Sequence, residues 1–352
     1  MIGHLRGLFF VEFGASGSHS PVVSLLYALT GLGHQSVIIF FVLSGFFVAG
    51  SAIRRLPDWS WTHYLGNRVT RLYLVLLPAL LLTAAADQIS LRLPLGPQYF
   101  EHPIPHFNAP PITAAISAKA FLANAVFLQT IVAPPFGSNF PLWSLANEFW
   151  YYLLFPLATL AVFRGTPQRR IFCACAALGI AVALPWEIMV YFPIWLMGAA
   201  LSVFPAPRLG PGVLMALRVS LLAVFAGTLL LSRTGRLSSV PGDYCIAIAF
   251  SLWMLSLIAT STSVGTDSVG RTYKLVAATV AGCSYSLYAT HMPLLLLARS
   301  AYTNPPVLPS LTNCGFAIVL GSAVSFGAFL FSRVTEARTD VVRNSIFRSL
   351  GV

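Results

Sequence analysis

The sequence predicts an all-α fold, a polytopic transmembrane helix bundle of nine complete spans preceded by a truncated first span. Three observations carry this. The 352 residues are 57% apolar and only 9% charged, with a mean hydropathy of +0.79. A soluble domain carries about 25% charged residues, so charge this sparse cannot cover a water-soluble globule. The aromatic content of 13% excludes intrinsic disorder, which is poor in aromatics and rich in charge. The apolar residues also come in runs near the ~20 residues a bilayer-crossing helix needs, too long for barrel strands.

In chain order, residues 1–13 (MIGHLRGLFFVEF) are apolar but reach only about 20 Å, short of a ~30 Å hydrocarbon core. They lack the basic start and small-residue cleavage site of a signal peptide. They read as the second half of a first span whose beginning lies upstream, which would give a complete protein of ten spans with both ends cytoplasmic. Complete spans are expected at 34–53, 72–90, 141–163, 170–186, 188–204, 213–231, 244–262, 275–298 and 311–332. The outer loop 91–140 opens with Pro94, Pro97, Pro103, Pro105, Pro110 and Pro111, along with His102 and His106. That proline density excludes a regular helix and suits a passive spacer or a structured lid.

The apolar stretch 119–135 inside this loop is expected to be a helix that does not span, and the basic residues decide it. With that stretch non-spanning, Arg54, Arg55, Arg68, Arg71, Arg164, Arg169, Arg170, Arg208, Arg271, Lys274, Arg333, Arg338, Arg343 and Arg348 all fall inside. Arg6, Arg92, Lys119, Arg233, Arg236 and Arg299 lie outside, and Arg218 lies within a span. This is the arrangement the positive-inside rule favours. The net charge of +11 therefore sets orientation; no Lys/Arg run exceeds two residues, and no nucleic acid partner is expected. The chain reads as one integral membrane domain, 1–352, without internal repeats or a nucleotide-binding loop. Its five cysteines are odd in number and lack zinc spacing, so neither a disulfide framework nor a metal site is expected, and they read as small packing residues.

Ionisable groups inside spans are expensive and face interior cavities. Glu148, in PLWSLANEFWYYLLFP (141–156) with Trp143, Trp150, Tyr151 and Tyr152 around it, reads either as part of an interfacial aromatic belt or as a pocket carboxylate orienting a histidine or a substrate hydroxyl. Arg68 and Arg71 share a helical face in YLGNRVTRLY. They mark a cytoplasmic helix start, or clamp phosphates with two guanidinium forks. His4 is a packing histidine or a general base for an acceptor hydroxyl. His19 and His34 lie in or near the loop 14–34. His291 lies in a segment dense with Ser284, Tyr285, Ser286, Tyr288 and Thr290, which either bond their own backbone and neighbouring helices or line a polar pathway. His34, Trp143, Tyr285 and His291 are the substrate-pocket candidates. Glu12, Asp87, Glu187 and Asp243 are expected to be solvated at outer helix ends.

Five segments together resemble the acyltransferase-3 family of integral membrane O-acyltransferases. They are GHQSVIIFFVLSGFFVAGS (33–51), YLGNRVTRLY (64–73), PLWSLANEFWYYLLFP (141–156), FPIWLMGA (192–199) and SYSLYATHMPLL (284–295). They occur in family order and spacing; FFVLSGF and WSLxxE are the specific ones. The resemblance implies transfer of an acyl group, often acetyl, from cytoplasmic acyl-CoA as donor substrate to a hydroxyl of a saccharide or glycolipid, with no permanently bound cofactor. It implies a multi-pass protein of the bacterial inner membrane. It implies His4 as catalytic base, Arg68 and Arg71 as the donor-binding R-x-x-R pair, and Glu148 as the WSLxxE glutamate acting with the base or acceptor. The family's partner arginine would precede Met1; Arg6 follows the histidine and is not its equivalent. The alternative is a transporter or flippase of lipid-linked sugars without acyl-transfer chemistry, its path running through 141–152 and 284–291. Against it, the sequence shows no inverted repeat and no paired broken helices. A scaffold without substrate explains the composition but not the joint motifs.

Overall fold

A computed structural model describes residues 1–17, 20–104, 111–205, 209–237, 239–258, 268–349 and 351. His19, Pro105, His106, Pro110, Arg208 and the last residues of the expected span 244–262 (259–262) lie outside the described residues. The helices are α1 (Ile2–Phe9), α2 (Pro21–Thr30), α3 (Gly33–Arg54), α4 (Trp61–Ser90), α5 (Gly96–Glu101), α6 (Ala118–Ala125), α7 (Trp143–Phe163), α8 (Pro167–Ala183), α9 (Trp186–Met189), α10 (Phe192–Leu201), α11 (Pro211–Arg233), α12 (Ser239–Ile258), α13 (Ser268–Ala301), α14 (Leu311–Val334) and α15 (Thr339–Ser349). Among the described residues no strand forms. Ser60, Ser117, Thr166 and Ser310 start α4, α6, α8 and α14, each accepting the backbone N–H three residues on, which satisfies one of the donors every helix start leaves open.

Among the described residues, five helices are long and apolar enough to cross a bilayer: α3, α4, α11, α12 and the one opening at Leu311. The chain is a multi-pass, all-helical membrane protein; each expected span overlaps a helix among the described residues, but not every one is long and apolar enough by itself to be counted. The helices at the expected spans 170–186 and 188–204, Pro167–Ala183 and Trp186–Leu201, meet at the short break Leu184–Pro185 and are bent by 118° there. A composition window measures length and does not register the bend. Helices α7 and α13, of 21 and 34 residues, are long enough, but buried polar residues dilute their apolar content. Helix α4 begins at Trp61, well before the expected residue 72, so Arg68 and Arg71 lie inside it.

The outer loop is not free of helix either. Pro97 sits at the start of α5, where a missing N–H does no harm. Helix α6 has only 8 residues and ends where Phe127 (φ 59°) and Thr130 (φ 66°) turn left-handed.

The chain divides into two compact units. The first comprises Met1–Thr30, Ser60–Trp143 and Val264–Val352; the second, Gly31–Trp59 and Ser144–Ser263. In the first, Leu5, Leu8 and Phe9 of α1 pack on Met292, Leu295 and Leu296 of α13, with Phe100, Ile104 and Ile112 of the outer loop closing the cluster. The end of α1 is pinned by Val11 N–H to Val307 O (3.2 Å) and Val307 N–H to Phe9 O (3.0 Å). Pro293 lies inside α13 and cannot donate to the carbonyl four residues back. The side chain of Asn139 takes that place, donating to Ala289 O at 2.7 Å and to Thr83 Oγ1 at 3.0 Å.

In the second unit, α3 and α10 touch backbone to backbone. A Cβ on Gly45 would lie 1.9 Å from Trp195 O, and one on Gly198 would lie 1.8 Å from Val42 O. Small residues permit this approach where no hydrophobic force separates helix from lipid. At the break before α10, Tyr151 and Tyr244 donate their hydroxyls to the carbonyls of Ile188 and Val190. Irregular backbone at membrane depth requires such partners.

Candidate active site

In the first unit the packing of α1 on α13 brings His4 against His291. His4 Nδ1 lies 2.8 Å from His291 Nε2, with ring planes 2° apart and centroids at 5.1 Å. His291 Nδ1 faces the carbonyls of Leu287 (2.9 Å) and Tyr288 (2.8 Å). Carbonyls only accept, so with both rings neutral the His291 proton is on Nδ1 and its Nε2 is an acceptor. His4 must then donate from Nδ1, which puts its own lone pair on Nε2. The pair fixes one tautomer of His4 and gives its Nδ1–H an acceptor that favours the protonated ring once a proton arrives at Nε2. Phe140 holds the other side of the imidazole edge-on at 5.6 Å. His291 is buried.

Tyr288 reaches Pro141 O and Tyr285 reaches Leu72 O at 3.3 Å. Thr290 bonds its own helix at Ser286 O. The polar residues of this segment thus serve neighbouring elements and their own backbone. Trp143, half-buried, opens α7.

Arg68 and Arg71 also belong to the first unit. Arg68 lies over the Tyr64 ring at 5.8 Å. Arg71, its side chain 55% exposed, stands 3.7 Å from Glu336. Glu336 is buried and accepts from both the N–H (3.1 Å) and the hydroxyl (2.9 Å) of Ser286. Sequence reasoning missed this glutamate because it sits among the basic residues of the tail.

Glu148 belongs to the second unit. Ser44 donates to Oε1 at 2.7 Å, Tyr152 donates to the same oxygen, and Trp195 Nε1 donates to Ser44 Oγ at 3.1 Å. Three of the sequence segments, FFVLSGF, WSLANE and FPIW, therefore meet in one buried hydrogen-bonded network. His34, 46% exposed, contacts both oxygens of Asp243 at 2.9 Å, and Tyr191 donates to Asp243 at 3.2 Å.

Asp243 and Asp87, expected to be solvated, are both buried. Asp243 is covered by its histidine and tyrosine, and Asp87 accepts Ser138 N–H at 2.9 Å. Glu12 and Glu187 are exposed. Of the cysteines, all free, only Cys173 is buried; Cys175 and Cys245 are exposed, since an outward position on an apolar helix meets lipid.

A family model described as an acyltransferase domain matches residues 1–333. Similar curated proteins include an acyltransferase, MdmB, of Streptomyces mycarofaciens. It is 32% identical over 174 residues, 49% of this chain and 40% of that protein. An O-acetyl transferase of Shigella phage Sf6 is 25% identical over 187 residues, 53% of this chain and 52% of that protein. The chain thus spans about half the length of the curated relatives it matches. No solved structure matches it.

Proposed function

Because the chain belongs to the acyltransferase-3 family, we propose that it is a membrane-bound O-acyltransferase moving an acyl group, acetyl in the first instance, from acyl-CoA to a hydroxyl of a saccharide or glycolipid. The observation that carries this reading is the His4–His291 pair. A neutral imidazole of fixed tautomer takes a proton from an alcohol at neutral pH. In the proposed step the acceptor oxygen attacks the thioester carbonyl as its proton passes to His4 Nε2. The C–S bond breaks, and the thiolate of CoA leaves and takes that proton from His4 Nε2, which returns the imidazole to its neutral form. His291 accepts the Nδ1–H of His4 throughout and favours the imidazolium that forms, the part a carboxylate plays in serine hydrolases.

Arg68 and Arg71 are assigned to the phosphates of the donor, on the side the positive-inside pattern gives to the cytoplasm. Glu148 is read as a buried acceptor that ties α3, α7 and α10 together, and a contact with His4 forms no part of this reading. The O-acetyl transferase named among the similar proteins supports acetyl as the group to try first.

The test is transfer of label from radiolabelled acetyl-CoA to a saccharide fraction of the host envelope, in membranes containing the full chain. Transfer is expected with the native protein and is expected to fall at least 10²-fold in His4→Ala, the lower end of what a general base contributes. Undiminished transfer by that variant removes the proposal.

A further inference from the structure

The last helix, α15, lies beyond the residues 1–333 that the family model matches, yet it packs along the stretch of α4 that carries the paired arginines. Two contacts fix its path. Glu336, just ahead of it, stands by Arg71. Phe347, near its end, meets the ring of His63 edge-on at 4.9 Å and presses on Gly66, where a Cβ would lie 2.4 Å from the phenylalanine ring. The chain from 336 to 347 therefore runs antiparallel to α4, from Arg71 back to His63. Arg343 is one helical turn before Phe347, on the same side of α15. Its side chain is only 26% exposed, whereas Arg348, on a different face, is exposed. This register sets Arg343 level with the turns of α4 just before Arg71, whereas Arg68, two residues past the Gly66 that faces Phe347, points away from α15.

The acidic groups here are weak competitors for these guanidinium ions. Glu336 Oε1 stands 3.7 Å from Arg71, beyond hydrogen-bond reach, and the two bonds from Ser286 both go to Oε2. Asp340, which pairs with Arg343 at 3.0 Å, is 78% exposed, and an exposed i,i+3 pair contributes little.

We propose that α15 completes the donor site: Arg343 joins Arg71 in binding the phosphates of CoA, and Glu336 is the carboxylate those phosphates displace from Arg71. The inference rests on the donor reading given above and extends it to a segment outside the family match. A second guanidinium group beside Arg71 suits a ligand carrying a diphosphate, because charge-assisted bonds from arginine to phosphate are among the strongest hydrogen bonds a protein makes.

The experiment is calorimetric titration of the full chain, in phosphatidylcholine nanodiscs, with coenzyme A. Arg343→Gln is expected to bind about tenfold more weakly, the loss of one charged contact, with Arg343→Lys recovering part of that. Glu336→Gln is expected to bind about threefold more tightly, as a loose ion pair is released. Arg348→Gln is expected to match the native protein. The proposal is overturned if Arg343→Gln binds like the native chain, or if Arg348→Gln loses as much as Arg343→Gln. It is equally overturned if Arg343→Gln keeps its affinity for coenzyme A and loses only flotation with phosphatidylglycerol vesicles, which would make the group a lipid anchor. A native protein that does not bind coenzyme A sinks the donor reading itself. Native binding that Arg71→Gln weakens and Arg343→Gln does not sinks this inference alone. Arg343→Lys keeps the test decisive should Arg343→Gln fail to elute as a single folded species.

Discussion

The first unit pairs two imidazoles, while the second surrounds one carboxylate with donors. In the first, His4 and His291 determine each other's tautomers and place a lone pair on a defined nitrogen. In the second, Glu148 accepts from Ser44 and Tyr152, and the helix bearing Ser44 crosses α10 where Gly45 and Gly198 leave no room for a methyl group. One arrangement aligns two imidazoles; the other gathers hydrogen bonds and close packing around a carboxylate. The more specific sequence signatures, FFVLSGF and WSLxxE, fall in the second, apart from Trp143. A well-defined motif marks a demanding geometry, and close helix packing inside a membrane is as demanding as chemistry.

Substitutions in the two units are expected to separate stability from turnover. The largest effect belongs to the glycine crossing. Gly45→Leu and Gly198→Leu force a side chain into backbone atoms that cannot move aside, at more than the ~1–3 kcal/mol of ordinary overpacking, and loss of the folded peak in size-exclusion chromatography is the expected result. Next comes His4→Ala, which is expected to lose at least 10²-fold in turnover beside the about 1–3 kcal/mol of stability that orphaning the buried His291 Nε2 costs; undiminished turnover with that loss of stability would place His4 with the packing residues.

His291→Leu is expected to lower kcat roughly tenfold with KM for acetyl-CoA unchanged, because it removes a charge-stabilising hydrogen bond worth about 1.5 kcal/mol and no substrate contact. A rise in KM alone contradicts this. The smallest effects concern satisfied backbone. Asn139→Leu orphans the Ala289 carbonyl and is expected to cost about 1–3 kcal/mol of stability. In a Pro293→Ala background, where the helix regains its own N–H, that cost is expected to shrink. A double-mutant cycle in thermal denaturation measures it, and additive effects would show that Asn139 does not substitute for the missing bond.

The membrane helices were legible because apolar runs of this length have few other uses. Their limits were less so. The helix start at Trp61 is set by the Ser60 cap, whereas hydropathy alone pointed to residue 72. The 118° bend between Pro167–Ala183 and Trp186–Leu201 lies near the expected boundary of two spans, but hydropathy carries no angle. Each histidine stood out in its apolar segment, but the pairing of His4 with His291 spans 287 residues, and the composition around each says nothing of the other. Asp243 was read as solvated because it lies close to a helix end; its burial depends on His34, 209 residues away. Glu336 was hidden for a related reason: its partners, Ser286 and Arg71, belong to other helices, and a lone acid in a basic tail reads as surface charge.

The separation of the two imidazoles along the chain also imposes an order in time. A ribosome that has delivered His4 to the bilayer must translate 287 further residues before its partner exists, and the carbonyl repair at Ala289 waits on the same helix. A nascent polypeptide therefore holds the histidine without the neighbour that selects its tautomer, and is expected to leave thioesters intact. Chains cut short by a premature stop before residue 291 are expected to be inert passengers in the membrane, with no capacity to squander activated acyl groups.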